Sequence, residues 1–321
     1  MGGPAPSSMQ SEMQGHGGGG DSVFRVVALL AGLAVLAILA LIAWSTTKEA
    51  WPAFTDQGIS FLTSDVWDPP AGQFGALAFI YGTLLSSFIA LLFAVPVSIG
   101  IALFTNEAAP RRLRTPVTYV IDLLAAVPSV VYGLWGVLVL APNIQPVYQS
   151  VADATNGIPV LGAIFGGVAS GKSFMTAGLI LAIMIVPIVT SLSREVIATV
   201  PSSQREAAFG MGATRWEMIR YSVLPWSRGG ITGAVMLGLG RAMGETIAVA
   251  LVIGSTAQIT SHVFFPGDAM AAVIANQFGE AGALHKSALI GLGVVLFVLT
   301  ILVNVVARSI VTRLDRRTQG A

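Results

Sequence analysis

Residues Ser173 to Ser193 read SFMTAGLILAIMIVPIVTSLS, a run without a single Lys, Arg, Asp or Glu. An α-helix rises 1.5 Å per residue, so about 20 apolar residues are enough to cross the hydrocarbon core of a bilayer. Two windows elsewhere in the chain, Pro69 to Asn106 and Ser287 to Ala307, are equally free of charge. These three stretches predict helices that span a membrane.

The composition supports the same class of protein. Of the 321 residues, 54% are hydrophobic and 10% are charged, against roughly 45–50% and 25% in soluble domains. Two longer windows, Thr115 to Ala152 and Gly229 to Gly267, are apolar apart from a few ionisable residues, and the apolar run Val26 to Thr47 is too long for the core of a signal peptide. The six windows predict an all-α membrane protein with six transmembrane helices.

Basic residues are distributed unevenly among the predicted connections. If the N-terminus is inside, the outer loops hold only Lys48, Lys172 and Lys286, and every arginine except Arg241 lies on the inner side. Loops that stay in the cytoplasm are enriched in Lys and Arg, so both termini are predicted to be cytoplasmic. The net charge of +1 indicates no nucleic-acid partner, and the absence of cysteine excludes disulfides and thiolate metal sites. We expect no cofactor, no metal and no catalytic residue.

One motif has to be discounted. Gly166, Gly171, Lys172 and Ser173 satisfy the pattern G-x-x-x-x-G-K-[ST] of nucleotide-binding loops. That pattern is meaningful between a buried strand and a helix of a soluble domain, whereas here it precedes a predicted membrane helix on the side away from cytoplasmic ATP. We therefore expect no nucleotide site at this loop.

The longest inner connection, residues 198–228, is polar, but it contains the start and stop residues that are typical of two short helices. Pro201 opens it, Ser203 with Glu206 has the spacing of a capping box, and Thr214 with Glu217 repeats that spacing. Gly212 stands between them as a stop signal, and Pro225 is expected to end the second helix. A DNA-binding helix-turn-helix, an inert loop and a docking element for a cytoplasmic motor are three interpretations of this connection, and mixed charge in a membrane-anchored loop disfavours DNA.

The residues of this loop resemble a known pattern. Glu206-Ala207-Ala208, then Gly212, then Leu224-Pro225 are similar to the EAA loop of bacterial ABC importer permeases, with Ser222 where an apolar residue is usual. The resemblance implies a type I ABC importer permease fold, in which this loop docks on an ATPase subunit. It also implies that Glu206, Ala207, Ala208, Gly212, Leu224 and Pro225 couple ATP turnover to the membrane helices.

Ionisable residues inside the apolar windows are candidates for a translocation path or gate. Arg241 and Glu245 are four residues apart, which on one helix would let them pair. A charge at the centre of a bilayer costs about 2.5–3.5 kcal/mol or more, so such residues face a partner or a water-filled path. A buried pair that only fixes helix packing is the alternative. Asp122 is a weaker candidate near the predicted inner interface.

Two further strings narrow the resemblance. Gly240-Arg241-Ala242-Met243-Gly244-Glu245-Thr246 and Ala126-Val127-Pro128-Ser129-Val130-Val131-Tyr132-Gly133 resemble segments of PstC-type permeases of phosphate importers. The resemblance covers roughly residues 76–310, the expected permease domain with its coupling loop 198–228. It leaves residues 1–22 as an expected disordered tail, 23–75 as the first helix and outer loop, and 311–321 as a basic tail.

That resemblance implies transport of inorganic phosphate and a set of partners. These are a second, PstA-type permease, two PstB-type ATPase subunits and an extracytoplasmic PstS-type phosphate-binding protein, all assembled in the cell membrane. Two alternatives stay open at this point. One is a permease for another oxyanion, such as molybdate or sulfate, and the other is a transporter that needs no ATP.

Overall fold

The computed structural model describes the backbone of residues 19 to 319 and the side chains of residues 23 to 309. The expected disordered tail, residues 1–22, lies outside the described residues except for the backbone of 19–22, which is helical. The chain forms two compact units, residues 1–48 and residues 49–321. Helix α1 begins in the first unit and ends in the second.

Helices make up most of the described chain. One hairpin occurs among the described residues, in which strand β1, Trp67–Asp68, pairs antiparallel with strand β2, Gln73–Phe74. Three short π-helical turns interrupt or extend the helices, at Phe104–Ala108, Gly136–Leu140 and Ile219–Val223. The helices are α1 Gly19–Gln57, α2 Ser60–Thr63, α3 Leu77–Leu103, α4 Arg111–Ala126, α5 Ser129–Trp135, α6 Ala141–Thr155, α7 Pro159–Phe165, α8 Phe174–Ala198, α9 Ser202–Gly210, α10 Arg215–Met218, α11 Leu224–Gly244, α12 Ile247–Val252, α13 Met270–Gln277 and α14 Ala283–Gln319.

Five helical stretches of the described residues are long and apolar enough to cross a membrane. They correspond to five of the six predicted windows, and the sixth window, 229–267, is not among them. Its helix α11 carries Arg228 and Arg241 and is rich in glycine, which lowers its hydropathy. The five stretches are Val23–Gln57, Leu77–Ala108, Ser129–Thr155, Phe174–Ala198 and Ala283–Ser309.

The prediction of one continuous helix over Thr115 to Ala152 is wrong. Helix α4 ends at Ala126, and Val127 adopts an extended conformation with ψ 126° before Pro128 begins the turn into α5. Proline disfavours the helical conformation for the residue that precedes it and supplies no N–H of its own. The window therefore contains a broken helix, of which only Ser129–Thr155 meets the length and polarity of a span.

The prediction of one helix over Gly229 to Gly267 is also wrong. Helix α11 ends at Gly244, Glu245 is extended with ψ 126°, and α12 then runs for only six residues. Gly133 of α5 packs closely on Ala248 of α12, since a Cβ at Gly133 would lie 2.8 Å from the Ala248 Cα. Helix α5 follows the first break and α12 follows the second, and these two helices pack against each other. Both breaks therefore lie where the contact between α5 and α12 begins.

Helix α8 is the centre of the core in the second unit. It packs most extensively against α3 and next against α11. Gly178 of α8 lies on Ile89 of α3, and Gly230 of α11 lies on Val196 of α8, with a Cβ at either glycine 2.4 Å from the facing side chain. Gly238 of α11 makes a similar approach to α8, because a Cβ there would lie 2.8 Å from the Val189 side chain. Close approach at glycines is how helices gain contact where lipid offers no hydrophobic driving force.

Residues 253–269, between α12 and α13, form an irregular segment that covers the start of α8. The Phe174 N–H donates to the Phe265 carbonyl oxygen at 3.2 Å, and the Met175 N–H donates to Val263 O at 2.9 Å. The first turn of a helix has no carbonyl partners within the helix, so this segment supplies them. The start of α8 is thereby held by main-chain bonds.

Asp268 is a buried acid in the same segment, with 4% of its surface exposed. Its Oδ1 accepts the Ala269 N–H at 2.8 Å. Burial raises the pKa of this carboxyl to about 7, although the bond from Ala269 acts in the opposite direction. In the unfolded chain the pKa returns towards 3.8.

This pKa shift predicts that alkaline pH weakens the fold. Between pH 3.8 and 7 the folded chain holds a proton that the unfolded chain releases, so stability falls as pH rises and is lowest above pH 7. From pH 5.5 to 8 the loss is about 2 kcal/mol, roughly 3 °C in melting temperature. Thermal unfolding of the purified protein in detergent measures it, and Asp268→Asn should remove it. Asp65→Asn, at an exposed acid, is the control, and an equal pH dependence in wild type and Asp268→Asn would contradict the assignment.

Candidate functional site

The 198–228 segment contains the helix–turn–helix that its sequence predicts. Helix α9 ends at Gly210, and Gly212 follows in the left-handed conformation with φ 83°. The Gly212 N–H donates to Phe209 O at 2.9 Å and the Ala213 N–H donates to Ala208 O at 3.1 Å. This pair of bonds is a Schellman motif, which satisfies the last carbonyls of a helix. The predicted glycine stop is confirmed.

Of the two predicted capping boxes, the second is confirmed. Thr214 Oγ1 accepts the Glu217 N–H at 3.3 Å, and Glu217 Oε2 accepts the Thr214 N–H at 2.8 Å. The Thr214 N–H and the Thr214 hydroxyl both donate to Glu217 Oε2 at 2.8 Å, and these two bonds lower the pKa of the exposed Glu217 carboxyl. The Ser203–Glu206 box is wrong, because the N-cap of α9 is Pro201 and no side chain caps the helix. Ser203 is already inside α9 and cannot serve as its cap.

Pro225 does not end the second helix, contrary to the prediction. The π turn Ile219–Val223 joins α10 to α11, and Pro225 lies in the first turn of α11. A π turn shifts the hydrogen bonds to an i→i−5 pattern, and the Leu224 N–H bonds Ile219 O in this way. The helical path is therefore continuous from Arg215 to Gly244, so the segment leads directly into the helix that carries Arg241.

The segment has one buried and one exposed face. Ala208 and Met218 pack with Ala102 of α3 and Ile197 of α8 in a single apolar cluster. Ser222, the departure from the expected apolar residue, is half-buried and donates to Gln204 O of α9 at 3.4 Å. On the other face, apolar side chains are open to solvent in this chain: Phe209 is 48%, Met211 83% and Trp216 61% exposed. Glu206 and Ala207 lie on this exposed face.

A polar cluster, which we call the basic junction, joins the segment to three helices where α3 and α8 end. It consists of Asn106, Glu107, Arg114, Arg194 and Arg205. Arg205 pairs with Glu107 at 2.9 Å and also donates to Val200 O at 2.6 Å and Ile197 O at 3.1 Å.

The remaining bonds of the basic junction join α3 to its neighbours. Asn106 Nδ2 donates to Arg194 O at 2.8 Å, and Arg114 donates to Asn106 O at 2.9 Å. The Arg194 guanidinium also bonds Thr118 of α4. The end of α3 is thus bonded to α4, α8 and α9 together.

Arg241 lies in a groove of about 880 Å³ between α11 and α14. Its side chain is exposed and makes no hydrogen bond or ion pair with any residue whose side chain the structure describes. Gly233, Gly240 and Gly244 of the same helix have no atom within 4 Å of a Cβ position, so these three glycines make no close contact with another described helix. The groove is lined by Gly229, Thr232, Gly233, Met236, Leu237, Gly240, Arg241, Asn304, Val305 and Arg308.

Arg241 and Glu245 do not share a helix face, which corrects the prediction from their spacing. Helix α11 ends between them, and Glu245 Oε1 instead accepts the Ala248 N–H at 3.4 Å in the first turn of α12. A cation in the last turn of one helix and an anion at the start of the next are each stabilised by the helix dipole. The end of its own helix therefore stabilises each charge, and neither charge needs the other as a partner.

Asp122 lies on α4, four residues before its end, and is exposed. It bonds neither Arg241 nor Glu245 in the part of the chain that the structure describes. The three candidate gate residues thus come from α4, from α11 and from the break after α11, and the structure does not bring them into one hydrogen-bonded cluster.

Comparison with known proteins places these features in a family. The family model for the binding-protein-dependent transport system inner membrane component matches residues 94–320. This range includes the 198–228 segment, the basic junction and both broken helices. The chain belongs to this family of transport components. It is accordingly a multi-pass membrane protein of a transport system and not an enzyme in its own right.

Several relatives of this transport component match along nearly the whole chain. The phosphate transport system permease protein PstC of Mesorhizobium japonicum is 46% identical over 93% of this chain and 92% of its own length. The protein of the same name from Haemophilus influenzae is 44% identical over 94% and 95%. The phosphate transport system permease protein PstC 2 of Mycobacterium tuberculosis is 41% identical over 91% of each chain.

Solved structures support the fold of the transport component. A chain of a bacterial ABC transporter involved in the import of the acidic polysaccharide alginate aligns with 91% of this chain and 97% of its own. The TM-score is 0.56 at 20% identity. The likeness at this identity concerns the fold alone.

The nucleotide-loop pattern of this transport component has a structural role. Ser173 caps α8 by accepting the Thr176 N–H, and the Ser173 N–H donates to Val252 O at 3.1 Å. With the bonds of Phe174 and Met175 to the 253–269 segment, the amides of three successive residues from Ser173 onward are already bonded. The interpretation of the motif as fortuitous agrees with these bonds.

None of the five residues of the basic junction was among the candidate site residues predicted from the sequence. Arg205 counted only as one basic residue of a connection, and Glu107 directly follows the charge-free window that ends at Asn106. A lone acid at the end of a long apolar window, close to Arg111, Arg112 and Arg114, was the available signal. Its partner lies 98 residues away, which no local pattern indicates.

Proposed function

We propose that this chain is the transmembrane permease subunit of an ATP-driven importer of inorganic phosphate. The observation that carries the proposal is the 46% identity over 93% of the chain to a phosphate transport system permease protein. The chain would form half of a translocation path and undergo no chemistry itself. Energy would come from ATP hydrolysis in a partner subunit.

The proposal includes the membrane topology. Helices α11 and α12 form the fifth of six spans in chain order, broken at Glu245, and both termini are cytoplasmic. The arrangement of the arginines supports this, since Arg114, Arg194 and Arg205 meet in the basic junction, and the basic end of a bundle belongs in the cytoplasm. The domains proposed from sequence follow, with the permease domain at 76–310, the coupling segment at 198–228, and cytoplasmic tails at 1–22 and 311–321.

The coupling segment would dock on an ATPase subunit. Its exposed Phe209, Met211 and Trp216 are an apolar patch on a short, capped hairpin, which is a surface suited to a protein groove. Glu206, Ala207 and Ala208 lie on α9, Gly212 forms the turn, and Leu224 and Pro225 begin α11. Because the helical path continues to Gly244, displacement of the docked hairpin would move the helix that carries Arg241.

Arg241, Glu245 and Asp122 are the proposed path and gate residues. Arg241 is the only Lys or Arg between Gly229 and Gly267 and faces an open groove. A guanidinium presents two parallel donors that fit a tetrahedral oxyanion. Glu245, at the break between α11 and α12, would move relative to Arg241 as the two helices reorient.

The partners we propose are those of the importer system. A second, PstA-type permease would complete the path, two PstB-type ATPase subunits would bind the coupling segments, and an extracytoplasmic PstS-type protein would deliver phosphate. Specificity would rest mostly in that binding protein. The exposed glycine-rich face of α11 supports a close helix contact with the second permease.

Reconstitution tests the proposal. The chain is purified in mild detergent with the subunits that accompany it, incorporated into proteoliposomes, and supplied with ATP inside and the binding protein outside. We expect ATP-dependent uptake of labelled phosphate that molybdate and sulfate do not compete away. Preferential uptake of molybdate or sulfate would assign another oxyanion. Uptake that needs neither ATP nor an ATPase subunit would show that the chain is a secondary transporter and not an ATP-driven importer.

Gly212→Ala is expected to weaken the coupling of transport to ATP hydrolysis, whereas the same substitution at Gly210 is expected to leave the coupling unchanged. At φ 83° an alanine costs about 1–2 kcal/mol, so the hairpin turn should distort and phosphate uptake per ATP hydrolysed should fall about fivefold or more. Gly210→Ala is the matched control, because this residue is helical and a Cβ there has no atom within 4 Å. Both variants are measured in the reconstituted complex, and equal coupling in the two would contradict a role for the Gly212 turn.

A further inference from the structure

The ion pair of the basic junction spans a potential hinge. Helix α8 ends at Ala198 and α9 begins at Ser202, so the intervening residues 199–201 could bend. Arg205 lies on the far side of this link and donates back across it to Val200 O and Ile197 O. The guanidinium therefore holds α9 against the end of α8, and the link cannot bend without breaking these bonds.

The same guanidinium fixes α9 to a second helix. Its Nε and Nη2 both donate to Glu107 Oε1, at 3.2 and 2.9 Å, and Glu107 lies in the π turn Phe104–Ala108 that continues α3. The Glu107 side chain is only 7% exposed and that of Arg205 23% exposed. Water and salt screen such a pair less than a surface pair. Glu107 makes no other hydrogen bond or ion pair among the residues with described side chains.

Apolar contacts reinforce the link on one side of the ion pair. Ala208, one turn after Arg205, packs with Ala102 of α3 and with Ile197 of α8 in the cluster below the coupling segment. Beyond the pair, Asn106 bonds the Arg194 carbonyl oxygen of α8. Helix α9 is therefore attached to α3 and α8 by apolar contact as well as by the bonds of Arg205, and the Asn106 bond ties α3 to α8 beside it.

We propose that Arg205 and Glu107 are positioning residues that transmit movement of the coupling segment to α3 and α8. This rests on the proposed function of the segment and adds a second route, separate from the continuous path into α11. When the docked ATPase displaces the hairpin, the ion pair moves the cytoplasmic ends of α3 and α8 with α9. Without the pair, residues 199–201 absorb the displacement and ATP is hydrolysed without transport.

The test uses the reconstituted complex and three variants, Glu107→Gln, Arg205→Gln and the double variant. Glu107→Gln should lower phosphate imported per ATP hydrolysed about fivefold or more. Arg205→Gln should be worse, because it leaves a buried carboxylate without its partner. Adding Glu107→Gln to Arg205→Gln should recover part of that loss. Glu107→Asp keeps the charge, so it should retain more coupling than Glu107→Gln. If Glu107→Gln does not accumulate in the membrane, Glu107→Asp is the variant compared with wild type.

Matched controls separate the pair from a general effect of charge. Glu195→Gln and Arg112→Gln make the same changes at exposed residues on the same side, where no hydrogen bond or ion pair joins them to residues with described side chains. Both should keep the wild-type ratio. An unchanged ratio in Glu107→Gln, or an equal fall in Glu195→Gln, overturns the proposal.

A distance measurement makes the test independent of phosphate. Spin labels at Ser203 on α9 and Glu195 on α8 should give one narrow distance distribution in the wild-type complex, which broadens in Glu107→Gln and Arg205→Gln. A distribution that stays narrow in both overturns the link between α9 and the helices. If the wild-type complex imports no phosphate while the variants broaden the distribution, the proposed function fails and the link stands.

Discussion

Gly82→Ala is expected to leave little of this protein in the membrane. A Cβ on Gly82 of α3 would lie 1.9 Å from the Asp268 carbonyl oxygen and 3.1 Å from the Phe174 ring. The first of these atoms belongs to the backbone, which cannot rotate away as a side chain does. Relief requires the 253–269 segment to separate from α3, and we expect a loss of about 3 kcal/mol or more in folding free energy.

The surroundings of Gly82 leave little room for such a shift. The Met270 N–H donates to Thr83 Oγ1 at 3.0 Å, immediately beside the clash. The same segment supplies the carbonyl partners of Phe174 and Met175 at the start of α8. Moving the segment therefore breaks bonds at both α3 and α8, which are the most extensively packed pair of helices in the protein.

Gly100→Ala provides the control, because Gly100 lies on the same helix and a Cβ there meets no atom within 4 Å. Helix propensity alone favours alanine over glycine by about 1 kcal/mol, so this variant should accumulate at least as well as wild type. Immunoblots of membranes and gel filtration in mild detergent measure the amounts. Equal accumulation of Gly82→Ala and Gly100→Ala would show that the segment is not held as described.

These two glycines also indicate how far sequence analysis extends. Gly82 and Gly100 lie in the same charge-free window, and nothing local distinguishes them. What separates them is a contact with Asp268, which is distant in the sequence. Apolar windows predict that a helix exists because the bilayer imposes one length and one polarity on every span. They carry no information about which face meets which neighbour.

The two broken helices show a second limit. Pro128 can break a helix, but a proline in a membrane helix is often accommodated, as Pro96 and Pro187 are inside α3 and α8. No proline lies at the end of α11, so the sequence near Gly244 did not indicate that the helix ends there. Both breaks lie in the strings that resemble phosphate permeases, so family resemblance marked the positions that local propensity did not.

The 198–228 segment was predicted best where one residue decides the geometry. Gly212 has a positive φ and Thr214 forms its capping box, as the spacing indicated. The errors, at Ser203 and Pro225, concern residues whose role depends on where a helix begins. Glu107 and Arg205 form a contact between distant parts of the chain, which only the fold brings together.

Arg241→Gln is the second variant with a large expected effect, and it addresses the path directly. The arginine is the single cation of its window, lines a groove of about 880 Å³, and bonds no residue with a described side chain. Substitution therefore removes no hydrogen bond or ion pair among the residues with described side chains. The complex should assemble normally, with the same subunits and the same amount in the membrane.

Phosphate uptake by Arg241→Gln should nevertheless fall to background. A charge-assisted bond contributes about 1.5–3 kcal/mol, or roughly 10- to 100-fold in the rate of a step that depends on it. Arg241→Lys keeps the charge but loses the planar pair of donors, so its uptake should be intermediate. Arg112→Gln, an exposed arginine outside the groove, should transport as wild type.

The position of Arg241 explains why loss of transport and retention of assembly are expected together. A buried arginine that fixed packing would need a partner, and its removal would lower the yield of the complex along with uptake. An arginine in the last turn of α11 is stabilised by the helix end and is free to face a passing anion. Proteoliposome uptake and subunit yield, measured on the same preparations, distinguish the two roles. Wild-type phosphate flux in Arg241→Gln would remove this residue from the path, and a loss of assembled complex would make it a structural residue.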